Sequence, residues 1–241
     1  MRTLLRRNVP LEPMTPLEQL RAGRTGRRLV QLVVGLVLFG VAMGMLVRAH
    51  LGLEPWGVFH DGLRRLTGLS FGTIIILTSV AVLLLWIPLR QWPGLGTIAN
   101  AVIVGLATDA TLAVLDDAEG LAAGWALLIG GIVVNGFGGA LYIGSQYGAG
   151  PRDGLMTGLA QRTGRSIRLV RTLLEITVLA LGWLLGGVVG VGTVLYALLI
   201  GPVIQAFLPM VTVDLSGRAR EGGAAPEPAP GLAACATDPA P

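Results

Sequence analysis

Gly52-Leu53-Glu54-Pro55-Trp56-Gly57 and, 96 residues later, Gly148-Ala149-Gly150-Pro151-Arg152-Asp153 set the same breaker in the same place. The residue before a proline is pushed out of the helical region, while proline itself suits the first helical turn. Each stretch therefore predicts that one helix stops and another starts. The new helices run over 55–67 and 151–163, closed by Thr67-Gly68 and Thr163-Gly164, with Ser70 and Ser166 placed to cap the next span. At 13 residues each is about 20 Å long, too short to cross a bilayer.

Working outward, the register of 96 persists without a gap. Gly35, Gly40, Gly62, Leu63 and Thr67 fall on Gly131, Gly136, Gly158, Leu159 and Thr163, and Gly94, Gly96, Thr97, Ala101 and Gly105 fall on Gly190, Gly192, Thr193, Ala197 and Gly201. Chance likeness between apolar segments would match leucine and valine. These matches are mostly glycine, proline and threonine, the residues that set backbone geometry, so the sequence reads as a duplication. Around the short helices lie six apolar windows of about 20 residues, near 29–48, 71–89, 97–115, 123–146, 168–188 and 191–209, each long enough to cross about 30 Å of hydrocarbon. Three spans per copy is an odd number, so the second copy enters the membrane from the opposite side. The expected fold is an all-α membrane protein, with repeat 1 over 29–115 and repeat 2 over 123–209 inverted about an external acidic loop, 116–122.

Composition agrees. Of 241 residues 53% are hydrophobic and 13% charged, with mean hydropathy +0.71, against about 25% charged in soluble domains. Soluble, collagen-like and disordered classes are thereby excluded. All 18 basic residues are arginine. Seven precede residue 29 and five lie at 90, 152, 162, 165 and 168, with Arg218 and Arg220 in the C-terminal tail. Only Arg48, Arg64 and Arg65 fall on the opposite side. The positive-inside rule then places both termini in the cytoplasm. Residues 1–28 read as a basic tail and 210–241 as a disordered Pro/Ala/Gly-rich tail. The basic block lacks interleaved aromatics, which disfavours nucleic acid, and the single Cys235 excludes an intrachain disulfide.

In the first short helix Trp56, Phe59, Leu63 and Leu66 share one face, with His60, Asp61, Arg64 and Arg65 mostly opposite. Two readings fit: an amphipathic helix lying on the bilayer, or a re-entrant element whose N-terminal amides face a cavity. The same breaker in both copies favours re-entrance, since inverted-repeat folds place their sites at paired broken helices near the midplane.

The run Gly148–Met156, the segments Arg162-Thr163-Gly164-Arg165-Ser166 and Gly190-Val191-Gly192-Thr193, and the ending Ile200-Gly201-Pro202 resemble the YczE branch of the YczE/YyaS/YitT family of bacterial membrane proteins. Leu53–Gly62 is similar to that branch's Pro-Trp-Asp-Val-like segment, with Gly57 where an aspartate is expected. The resemblance covers about 29–209. It implies a multi-pass protein of the bacterial cytoplasmic membrane with no defined biochemical activity.

Ionisable residues inside spans are costly and count first as functional candidates. Asp109 lies in the third span, where a solvated carboxylate near the external end is the plainer reading. Arg171 and Glu175 lie in the fifth at a spacing that lets them pair, or simply sit at the cytoplasmic interface. Asn100 and Asn135 can bond a substrate or, more commonly, a neighbouring helix. Pro55 and Pro151 mark the breaks, and His60, Asp61, Arg152 and Asp153 come after them; Asp153 also suits a helix start electrostatically. The two histidines, His50 and His60, lack zinc spacing, so no metal is expected. Gly94-Leu95-Gly96-Thr97 and its copy lack a third glycine and a P-loop lysine, and read as turns capped by threonine rather than cofactor elements. No nucleophilic triad is visible, which disfavours an enzyme. The function expected is a small-molecule transporter or permease with its site between the halves. The alternative is a non-transporting accessory protein assisting another complex. Expected partners are the lipid bilayer and an unidentified small-molecule substrate, with a homo-oligomer left open.

Overall fold

The computed structural model describes residues 18–19 and 23–213; the tail expectations for 1–17 and 214–241 lie outside the described residues. Eight helices follow in order: α1 (Thr25–Ala49), α2 (Pro55–Thr67), α3 (Phe71–Leu89), α4 (Leu95–Val114), α5 (Gly120–Gly144), α6 (Pro151–Thr163), α7 (Ile167–Leu184) and α8 (Val191–Val211). Five of them, α1, α3, α4, α5 and α8, are long and apolar enough to cross a membrane. Helix α7 falls outside that group, since its 18 residues include Arg168, Arg171 and Glu175. It also stops at Leu184 rather than near 188, because Gly186 takes a left-handed φ of 88° and the amides of Gly186 and Gly187 fold back onto the carbonyls of Trp183 and Gly182.

The ends of the short helices are built as their sequences dictate. Pro55 and Pro151 occupy the first turn, and Gly68 and Gly164 close the helices in the left-handed region. The Ser70 and Ser166 hydroxyls accept from the Thr73 and Leu169 amides at 3.2 and 3.3 Å. Elements 96 residues apart share further details. His50 and Gln146 have φ of 54° and 56°, and Gly52 and Gly148 both have 106°. Thr97 and Thr193 accept from the Gly94 and Gly190 amides. The Gly96 amide donates to the Tyr147 carbonyl at 2.9 Å, and the Gly192 amide to the Leu51 carbonyl at 2.7 Å, so each half caps a helix of the other.

Helices α1 and α5 cross at the centre. Gly35 lies so close to the Gly138 carbonyl and Tyr142 amide that no side chain would fit there, the close approach that small residues permit between membrane helices. Helix α4 packs on α1, and α8 on α5. The short helices cross over: α2 packs on α7, where Gly182 admits the Val58–Phe59 backbone, and α6 packs on α3, where Gly154 lies under the Trp86 ring. One relation has no counterpart. Helix α3 lies along α4, whereas α7 and α8 scarcely touch.

Candidate functional site

Trp56 and Arg152 occupy the same place in the two copies, and the fold stacks one on the other, with the guanidinium 5.0 Å from the indole ring. Arg152 also pairs with Glu54 at 3.2 Å. Glu54, 2% exposed, spends its second oxygen on the Gly57 amide, capping α2. This junction of the two short helices forms part of the wall of a central cavity of about 220 Å³. The wall is made largely of positions 96 residues apart: Phe39 with Asn135, Trp56 with Arg152, Ile75 with Arg171, Asn100 with Tyr196, and Val104 with Ile200. The second member carries the polar or charged group in three of these pairs, and in a fourth Tyr196 brings a hydroxyl. Charged and polar groups are thus more numerous on the second-half side, with Ser79 and Asn100 adding polar groups from the first half and Ile143, Met156, Ile200 and Ile204 apolar ones from the second.

The polar wall is organised by hydrogen bonds. Tyr196 donates its hydroxyl proton to Asn135 Oδ1 at 2.9 Å. Tyr142 donates to the Gly148 carbonyl at 3.0 Å, and Trp86 Nε1 to the Pro151 carbonyl at 3.0 Å, which fixes the start of α6. Asp153, in the first turn of α6, is exposed and lines the cavity. Asn135 Nδ2 and Trp56 Nε1 are buried and find no partner among the described residues.

Of the residues singled out from sequence, Asn100, Asn135, Pro151, Arg152, Asp153 and Arg171 line this cavity. Pro55 adjoins it through Trp56. Glu175 is set back, bonded to Arg171 at 3.0 Å as its spacing predicts. The others lie elsewhere. His60 is 2% exposed and packed among Trp56, Phe59 and Phe71. Asp61 is held by Arg64 and Arg65 of its own helix at 3.0 and 2.9 Å. Asp109 accepts from the Ser70 hydroxyl at 2.5 Å and the Gly72 amide at 2.7 Å, so its carboxylate caps α3. It borders a wide cleft of about 760 Å³ that also holds Asp117, His50 and Arg48. There His50 Nε2 and Arg48 donate to Asp117 at 2.6 and 3.0 Å. First the His50 hydrogen bond and then Arg48 hold the Asp117 carboxyl below its ordinary range.

Sequence reasoning missed Trp56, Tyr142 and Tyr196 as wall residues, and Glu54 as the partner of Arg152. The signal was available, since Trp56 and Tyr196 share repeat positions with Arg152 and Asn100. It also read Arg28 as part of a basic cytoplasmic tail. Arg28 is fully buried in α1, bonds the carbonyls of Ser145, Gln146 and Gln19 at 2.8, 2.8 and 2.7 Å, and lies over Tyr147 at 4.2 Å.

Five apolar helices of crossing length around a cavity walled by both halves of the chain define a multi-pass α-helical membrane protein. The chain belongs to the family of unknown function DUF6198, whose model matches residues 26–209. It is 43% identical over 180 residues to an uncharacterized protein of Haemophilus influenzae, covering 75% of this chain and 83% of that one. It is 34% identical over 178 residues to the uncharacterized membrane protein YczE of Bacillus subtilis, covering 73% and 82%. With YyaS of the same organism the identity is 28% over 193 residues, covering 78% and 96%. No solved structure matches.

Proposed function

We propose that the protein is a small-molecule transporter or permease of the bacterial cytoplasmic membrane, in which two inverted three-span halves give alternating access to the central cavity. In this reading α7 is the fifth of six spans, with its Arg171–Glu175 pair near the cytoplasmic interface, and the arginine bias sets both termini inside. One observation carries the proposal: the cavity is walled by repeat-related positions and by the starts of both broken helices. That is where inverted-repeat transporters bind substrate. The unequal packing supports it further, since α3 and α4 close together while α7 and α8 stand apart. Rocking one half would exchange those two arrangements and with them the side on which the cavity opens.

Purified full-length chain in liposomes, incubated with a bacterial small-metabolite extract and analysed by mass spectrometry, tests this. The proposal expects at least one solute to accumulate over protein-free liposomes, and expects Pro151→Ala to change the rate without preventing insertion. An accessory protein would give no solute movement at all. A cysteine at position 118 in a Cys235→Ser background is expected to label only from outside, and one at 158 not from outside; external labelling at 158 would overturn the inverted arrangement.

A further inference from the structure

The nature of the solute can be read from the same cavity, a reading that rests on taking that cavity as the substrate site. Asn135 is fully buried and Trp56 is 6% exposed. Both residues line the cavity, and neither Asn135 Nδ2 nor Trp56 Nε1 has a hydrogen-bond partner among the described residues. A buried donor left unmet costs free energy, so such groups are ordinarily satisfied. Asn135 Oδ1 is already occupied by the Tyr196 hydroxyl, which fixes the amide so that its NH₂ group is the part left over. The two open donors come from different halves of the chain, one beside the Arg152 guanidinium and one on α5. An oxygen acceptor is the chemistry common to both.

The rest of the wall specifies the remainder of the molecule. Phe39, Ile75, Val104 and Ile200 offer no hydrogen bonds, and the volume of about 220 Å³ lies below the roughly 300 Å³ at which pockets for drug-sized ligands begin. Arg171 both lines the cavity and has a side chain 60% exposed, so the wall reaches the surface beside the gap between α7 and α8. An apolar part of the solute would be taken out of water against those four apolar side chains.

We infer that the central cavity takes a small amphiphile, its carbonyl or carboxylate oxygen received by Trp56 Nε1 and Asn135 Nδ2 and its apolar part laid against Phe39, Ile75, Val104 and Ile200. Arg152 is already balanced by Glu54, so it orders the Trp56 ring beneath it and adds positive potential beside the donor without demanding a full counter-charge.

The test uses full-length chain in nanodiscs carrying Ser79→Cys, which places a thiol on the cavity wall, in the Cys235→Ser background. N-ethylmaleimide labelling is timed with octanoate, octanamide or octyltrimethylammonium present. Octanoate is expected to slow labelling at concentrations where the cation has no effect. Protection by octanamide equal to that by octanoate assigns the carbonyl, and weaker protection assigns the carboxylate. Trp56→Phe and Asn135→Leu should each raise the half-protecting concentration about fivefold, the worth of one net hydrogen bond. Equal protection by the cation, or no shift in either variant, overturns the inference. If Asn135→Leu fails to purify as a single species, Trp56→Phe decides alone. If the thiol at 79 does not label, quenching of tryptophan fluorescence by 8-bromooctanoate, compared between the native chain and Trp56→Phe, reads the same contact; no difference overturns the inference. Solute flux in liposomes without octanoate binding would retire the amphiphile and leave transport standing, whereas binding without flux would do the reverse.

Discussion

Arg152→Met leaves a carboxylate buried without its cation. Glu54 is 2% exposed, and Arg152, at 28%, is the basic side chain paired with it. Methionine keeps much of the length and apolar bulk over Trp56 but removes the charge. Stripping one partner from a buried ion pair costs about 3–5 kcal/mol. Because the guanidinium is partly accessible, the lower end applies. For a chain of this size about 3 kcal/mol corresponds to a fall of roughly 6–12 °C in the unfolding midpoint. Adding Glu54→Gln should restore most of the loss, since a neutral amide can still accept from the Gly57 amide and no unpaired charge is buried. The assay is thermal unfolding of the two variants and the native chain in nanodiscs, followed by ellipticity. A shift under about 1 °C for Arg152→Met, or a double variant no more stable than the single, would refute the view that this pair clamps the two short helices together.

The packing sets three further outcomes. Gly182→Leu should abolish recovery of monodisperse protein, because any side chain there meets the backbone of Val58 and Phe59, while Gly201→Ala, which meets nothing, should purify normally. Arg28→Ala should destabilise the chain by about 3 kcal/mol or more, since it orphans buried carbonyls at the end of α5 that accept charged hydrogen bonds. The Asp117 link between α1 and the loop after α4 should weaken in acid. Its carboxyl is depressed in the folded state, so its contribution is complete above the ordinary carboxylate pKa near 3.9 and disappears as pH falls through the depressed value. Hydrogen exchange at the Ala118 amide, which donates to the Arg48 carbonyl, should lose protection there relative to neutral pH, and Asp117→Asn should remove the pH dependence.

The local geometry of the chain was legible because glycine, proline and capping serines act over three or four residues. The bounds of both short helices, the Ser70 and Ser166 caps and the Arg171–Glu175 pair could be read directly. What sequence could not supply was which distant backbone each polar side chain meets. Arg28 finds its carbonyls 117 and 118 residues away, Asp109 caps a helix 37 residues earlier, and Asn135 is oriented by Tyr196, 61 residues later. Periodicity carries no information about such pairings. The repeat register did carry some, since stacking Trp56 on Arg152 joins two positions that correspond in the duplication.

The claim that the cavity opens alternately to the two sides is tested most directly by a cysteine in place of Asp153, on the cavity wall, in the Cys235→Ser background. Its modification by a membrane-impermeant thiol reagent is measured separately in right-side-out and inside-out vesicles. The account predicts reaction from both faces. Reaction from one face only, unchanged by any added solute, would contradict it.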